Sequence, residues 1–211
     1  MMEQGSREWK QFKCGWVGAS RVADITAKAR SGTVSASRAT YMGQIIAERL
    51  TGVPMETFKS EAMQFGTDTE AEARAAYQFE TGKLVSRVGF ILHPTVDGAG
   101  ASPDGLIDED GLLECKCPNT ATHIDALLGG SIPGRYVTQM QWQMASTGRA
   151  WCDFVSFDPR MPESMRLLIQ RVHRDAQTIS ELEAAVRAFL AEVDAKVSAL
   201  TARYEVNRVA A

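Results

Sequence analysis

Apolar side chains recur at three- to four-residue intervals in some stretches of the chain and at alternate positions in others, and these two periods separate helices from strands. Ser6 is placed to cap a short helix carrying Trp9 and Phe12, with Gly15 ending it. Ser20 reads as the cap of a second helix through Ala27, with Val22 and Ile25 inward, followed by a Ser/Gly-rich exposed loop from Arg30 to Ser35. Tyr41, Ile45 and Leu50 carry a helical period up to Gly52, and a longer helix is predicted from about Ser60 to Thr81, stopped by Gly82. Strands are predicted over Leu84–Val88, Phe90–His93, Gly105–Asp108 and Leu112–Cys117. Thr120 reads as the cap of a helix over Thr122–Leu128, and Pro133 as the first residue of another that ends at Gly148. In the latter, Gln139 and Gln143 share one face beside an apolar strip of Met140 and Met144. Strands return at Trp151–Phe157 and Met165–Val172. Asp175 then caps a long helix with Ile179, Leu182, Val186, Phe189, Val193, Val197 and Leu200 inward, which covers the sheet or meets a partner chain. The expected class is α/β, a mixed central β-sheet flanked by helices.

Length and composition narrow this without changing it. A chain of 211 residues is long enough for one domain with a sizeable core, and 45 % hydrophobic with 23 % charged residues is ordinary for a soluble protein. No apolar run reaches the length of a membrane span, and MMEQGSREWK lacks the apolar centre of a signal peptide, so a cytoplasmic protein without a membrane partner is expected. Cys14, Cys115, Cys117 and Cys152 are too few and too scattered for a disulfide framework, and Cys115 and Cys117 suit buried packing better than zinc. His93, His123 and His173 follow no metal-ligand spacing. The net charge of −3 argues against a nucleic-acid partner only superficially, because the first 40 residues carry Arg7, Lys10, Lys13, Arg21, Lys28, Arg30 and Arg38 against Glu3, Glu8 and Asp24.

The candidate chemistry lies in Ala101–Pro118, ASPDGLIDEDGLLECKCP. Asp104, in Ser-Pro-Asp-Gly, belongs at a bend entering a strand. Asp108-Glu109-Asp110-Gly111 reads as a hairpin loop, with Gly111 supplying a positive φ where the second strand starts. Along that strand Glu114 and Lys116 point one way, while Leu113, Cys115 and Cys117 point the other way into apolar packing. Two carboxylates a hairpin apart can share a divalent metal, and hard oxygen ligands favour Mg²⁺ or Mn²⁺ over zinc. A lysine beside them can orient or deprotonate a water that attacks phosphorus and offset the charge on the phosphoryl oxygens. The alternative is a solvated hairpin with a surface ion pair worth under about 1 kcal/mol. Pro-Asp, a hairpin-length gap and Glu-x-Lys in an apolar strand are jointly restrictive, which favours the catalytic reading.

These residues resemble the core of the PD-(D/E)xK nucleases, and SPDG followed by LECKCP is similar to the phage lambda exonuclease family in particular. Trp9 with Gly15 and Ala19-Ser20, Ala29-Arg30-Ser31-Gly32, Gly66 with Glu70, Gln139-Met140-Gln141 and Asp158-Pro159-Arg160-Met161 agree in order. The resemblance implies a restriction-endonuclease-like core and one nuclease domain over 1–211. It implies a Mg²⁺-dependent 5′ to 3′ exonuclease, with Mn²⁺ able to substitute, acting on ends of linear double-stranded DNA and leaving a 3′ strand for a single-strand annealing recombination protein. It also implies a ring-shaped homotrimer. Carried over residue by residue, Asp104 and Glu114 hold the metals with the Cys115 carbonyl and Glu70, Lys116 works on the water, and Gln139 helps position the site. The family holds the 5′-phosphate with an arginine and two serines. Ser20 and Ser102 match those serines, while Lys13 stands at the arginine position, keeping the charge but losing the bidentate fork. Arg30 matches a residue that reaches the DNA minor groove and Met63 an apolar wedge at the end base pairs; a solvated loop arginine and a core methionine are the plainer readings. The rival functions are another nuclease of the superfamily, such as an endonuclease, and a DNA-binding module without catalysis.

Overall fold

The computed structural model describes residues 2–28, 34–56 and 60–209, with side chains described through Tyr204. The helices are α1 (Arg7–Phe12), α2 (Val22–Thr26), α3 (Ala36–Thr51), α4 (Glu61–Thr81), α5 (Thr120–Leu127), α6 (Gly134–Thr147) and α7 (Ala176–Val209). The strands are β1 (Val17–Gly18), β2 (Val85–Ser86), β3 (Ile91–Leu92), β4 (Ala99–Ala101), β5 (Gly105–Ile107), β6 (Gly111–Lys116), β7 (Trp151–Phe157) and β8 (Leu167–His173). They form a five-stranded sheet in the order β2-β5-β6-β7-β8 and a three-stranded sheet in the order β1-β4-β3. Within the larger sheet only β6 and β7 run parallel, which makes it mixed, as expected.

Strand alternation decides what each face meets. Leu113 and Cys115 of β6 turn toward α4, joining Ile107, Val155 and Phe157 against Ala73 and Tyr77. Leu112 turns the other way with Cys152 and Phe154, against Met140 and Met144 of α6. Because β7 is covered on both faces, it is buried along its whole length. Each large side chain buried in these layers contributes about 1.5–3 kcal/mol. A further cluster joins Val22 and Ile25 of α2, Tyr41, Met42 and Ile45 of α3, the small strands β1 and β4, and the apolar stripe of α7 from Leu182 to Val193.

Several local expectations are corrected. Ser20 lies in a 3-10 turn, Ala19–Arg21, ahead of α2 and does not cap it. Asn119, not Thr120, caps α5, accepting from the Thr122 amide at 2.9 Å, while Thr120 donates to Asp158 at 2.7 Å. Pro133 precedes α6 as its cap residue. Gly111 has no positive φ; Asp108 supplies it, at 47°. Gly111 is needed for space, since a Cβ there would stand 2.2 Å from the Trp151 ring. Leu50 is exposed at the end of α3. The helix α7 is capped by Asp175 as predicted, but packs on α2, α3 and α6 rather than across the five-stranded sheet.

Candidate active site

The site is built where strand pairing runs out. The pair β5/β6 ends at Gly105 opposite Leu113, so the next outward-facing amide, that of Cys115, has no strand partner. The Asp104 carboxylate takes that place, accepting from the Cys115 N–H at 2.7 Å, while the Asp104 amide donates to the Leu113 carbonyl at 3.1 Å. The Cys115 carbonyl leaves the strand on the same side as its N–H, toward Asp104. Asp104 is thus fixed by the hairpin's own backbone.

The Glu114 side chain points away from those of Leu113 and Cys115, toward α6, and is only 1 % exposed. It accepts from Lys116 Nζ, from Gln139 Nε2 at 2.6 Å and from Gln143 Nε2 at 2.6 Å. Gln139 and Gln143 are one helical turn apart, so α6 presents two amides to one carboxylate. The Lys116 ammonium also lies 4.9 Å over the Tyr136 ring. From the other side α4 brings Glu70, which accepts from Arg74 at 2.6 Å, and Arg74 also donates to the Asp104 backbone carbonyl at 3.4 Å. The Asp158-Pro159-Arg160 segment braces this end: Asp158 accepts from Thr120 and Arg160, and Arg160 donates to the Pro118 carbonyl at 3.1 Å and covers the Phe65 ring of α4.

On the third side stands α1. Trp9 Nε1 donates to Ser102 Oγ at 3.0 Å, and Lys13 Nζ lies 3.8 Å over the Trp9 ring, so Lys13 and Ser102 are held through one indole. Ser20 is exposed on its 3-10 turn and Met63, 54 % exposed, sits near the start of α4. Lys13, Ser20, Met63, Glu70, Ser102, Asp104, Glu114, Cys115, Lys116 and Gln139 all line one cleft of about 600 Å³. Met63 is therefore no core residue, and Arg30 lies outside the described residues. Four further residues of the site carried no role in the sequence reading. They are Trp9, Arg74, Tyr136 and Gln143 as a ligand of Glu114; the i,i+4 spacings Glu70/Arg74 and Gln139/Gln143 were the available signals.

The electrostatics of the cleft favour a cation. Burial, then the charges of Glu114 and Glu70, raise the Asp104 carboxyl well above its ordinary value, against the opposing pull of Lys116 and the Cys115 amide. Burial would lower the Lys116 ammonium, but the charges of Glu114 and Asp104 and its bond to Glu114 outweigh this and raise it. Burial and the charges of Glu70 and Asp104 push the Cys117 thiol up to about 12, so it stays neutral. Among the described residues no three Asp, Glu, His or Cys side chains converge as a ready-made metal cage. Glu70 is drawn to Arg74, leaving Asp104, Glu114 and the Cys115 carbonyl as a hard-oxygen set. Mg²⁺ suits such a set, since it is commonly held by one or two carboxylates with waters and substrate phosphates completing the shell. The donor chemistry therefore fits a divalent cation.

The profile of the YqaJ-like viral recombinase domain matches residues 8–150, a span that contains Lys13, Ser20, Glu70, Ser102, Asp104, Glu114, Lys116 and Gln139. The chain belongs to that family. The fold is likewise similar to the crystal structure of LHK-Exo, an alkaline exonuclease from Laribacter hongkongensis. The two are 48 % identical, the match covers 95 % of this chain and 98 % of that one, and the TM-score is 0.88. The structure of LHK-Exo in complex with dAMP matches to the same degree. A phage-related exonuclease from Haemophilus somnus 129PT shares the fold at TM-score 0.62 and 15 % identity, over 88 % of this chain and 96 % of that one. No curated protein sequence matches. Membership of this family bears out the resemblance to phage recombination exonucleases and the mixed α/β architecture. Among the described residues no helix is long and apolar enough to cross a membrane.

Proposed function

We propose that this chain is a divalent-metal-dependent exonuclease that hydrolyses phosphodiester bonds from the ends of linear double-stranded DNA. The observation that carries the reading is the enclosed Asp104, Glu114 and Lys116 group at the end of the β5/β6 hairpin, beside a lysine and two serines in one cleft. The likeness to LHK-Exo, itself an alkaline exonuclease at 48 % identity, supports it. Asp104, Glu114 and the Cys115 carbonyl would hold Mg²⁺ or Mn²⁺, and Glu70 would join them on releasing Arg74. A bound cation supplies Lewis acidity toward the phosphoryl oxygens and the attacking water.

The remaining steps belong to the protein's own groups. Lys116, bonded to Glu114 and facing the cleft, orients or deprotonates the water and offsets charge building on the phosphoryl oxygens. Gln139 and Gln143 fix the Glu114 rotamer. Lys13, Ser20 and Ser102 receive a 5′-phosphate, Met63 stands where an end base pair would part, and Arg30 would follow the duplex groove. Cleavage runs 5′ to 3′, and the 3′ strand passes to an annealing recombination protein. One nuclease domain over residues 1–211, assembled as a homotrimer around the DNA, is part of the same proposal, and the family's viral recombinase character supports the recombination role. Linear duplex should be degraded with Mg²⁺ or Mn²⁺ and bound with little turnover in Ca²⁺, whose coordination is larger and looser. Activity that survives exhaustive chelation would sink the metal assignment, and nicking of a closed circular duplex would turn the reading toward an endonuclease.

A further inference from the structure

Behind α1 lies a second cleft of about 810 Å³, walled by α1, the 3-10 turn after β1, α3 and residues 53–56. It continues from the catalytic cleft: Trp9, Lys13, Gly18 and Ser20 line both. Arg7, Lys10, Lys13 and Arg21 bring four cations to it against the carboxylates of Glu48 and Glu56, in a chain whose net charge is −3. Glu48 is already engaged, accepting from the Gly15 amide at 2.8 Å, from Gln44 at 3.1 Å and from the Met55 amide at 3.0 Å. Arg21 is paired with Asp24, whereas among the described residues no carboxylate pairs with Arg7, Lys10 or Lys13. Trp9 and Trp16, both half-buried, add aromatic surface to the same wall. Uncompensated cations beside indole rings are the chemistry that takes a phosphate and a base together.

Resting on the exonuclease reading of the neighbouring cleft, we propose that this second cleft is a nucleoside 5′-monophosphate subsite. It receives the released nucleotide past Lys13, with the phosphate on Lys10 and Arg7 and the base against Trp9 and Trp16. Stepwise hydrolysis frees one such nucleotide per cycle beside Lys13, and nucleotide that accumulates occupies the second cleft, from which it crowds the 5′-phosphate pocket across their shared wall. Lys13 is the shared post between the two clefts, and the nearby Lys10 charge that helps lower its pKa, after burial, is the charge a phosphate would neutralise.

The test measures dAMP binding by equilibrium dialysis and dAMP inhibition of duplex digestion, in wild type and in the charge reversal Arg7→Glu with Lys10→Glu. Both side chains are exposed and neither lines the catalytic cleft, so folding is retained. Wild type should bind two dAMP per chain, and Asp104→Ala should keep the site that the reversal removes. The reversal should bind one, weaken product inhibition about tenfold, or about 1.4 kcal/mol, and leave the initial rate unchanged. A single dAMP in wild type, or two retained in the reversal, overturns the subsite, as does displacement by an unphosphorylated oligothymidylate that binds it more tightly than dAMP. If Mg²⁺-loaded wild type fails to digest linear duplex, the exonuclease reading falls, and with it the product role of a site that still binds dAMP.

Discussion

Replacing Asp104 by asparagine should stabilise the metal-free protein while abolishing hydrolysis. The amide oxygen can still accept from the Cys115 N–H, so the bond that closes the hairpin survives, but the charge beside Glu114 and Glu70 is gone. Asp104 is enclosed by the cleft walls although part of its surface reaches solvent, so the gain is a fraction of a fully buried charge. Relief of such an active-site charge is worth about 0.5–2 kcal/mol, which for a chain of this size raises Tm by roughly 1–8 °C. The sign follows from linkage. A carboxyl whose native pKa is raised above its ordinary 3.8 binds its proton more tightly folded than unfolded, so the contribution of Asp104 to stability is greatest at acid pH and declines as pH climbs through 3.8 toward the raised native value. The variant should lack that component of the decline. Thermal melts from pH 4 to 8 in chelator test this, and Mg²⁺ should raise the wild-type Tm more than the variant's. A variant that melts below wild type at neutral pH would refute the argument that the cleft carries excess negative charge.

Other substitutions separate the remaining roles. Gln143→Leu should leave a Glu114 oxygen unpartnered, costing about 1–3 kcal/mol in a denaturant melt, whereas Gln143→Glu should shift the pH dependence of activity by adding a like charge. Lys116→Ala should still bind DNA yet lose about 10²–10⁴ in rate in single-turnover digestion, and near-normal turnover would mean that Lys116 is misassigned. Lys13→Ala should erase a preference for 5′-phosphorylated over 5′-hydroxyl ends, and Lys13→Arg should keep or sharpen it by restoring the fork; equal digestion of both ends by wild type would place the phosphate pocket elsewhere.

The hairpin was legible because its information is local: a bend before a strand, a loop, and Glu-x-Lys in a period of two fix which side chains share a face. The capped ends of α1 and α7 were legible for the same reason, since Ser6 and Asp175 bond to amides only two or three residues on. What stayed hidden is set by distant partners. The strands β1 and β4, Val-Gly and Ala-Gly-Ala, have no apolar period of their own and exist because they pair with each other and β4 pairs with β3; a Cβ on Gly100 would meet the Ile91 carbonyl at 2.4 Å. Gly111 looked like a turn residue but is small to admit Trp151, 40 positions later in the chain. Gln139 and Gln143 could be placed on one face, yet their common target on a strand 25 and 29 residues away could not be read from periodicity. Lys13 and Ser102 meet only through the Trp9 indole, across 93 residues between Trp9 and Ser102, so family resemblance alone brought them together before the fold did.

The central claim, that the cleft around Asp104, Glu114 and Lys116 removes nucleotides from a DNA end, is tested most directly by digesting linear duplexes labelled separately at each 5′ and each 3′ end in Mg²⁺, with Glu114→Ala as control. Early release of the 5′ label as mononucleotide, retention of the 3′ label on a growing single strand, and no release by the variant are predicted. Release of the 3′ label first would reverse the polarity, and release undiminished in Glu114→Ala would contradict the site itself.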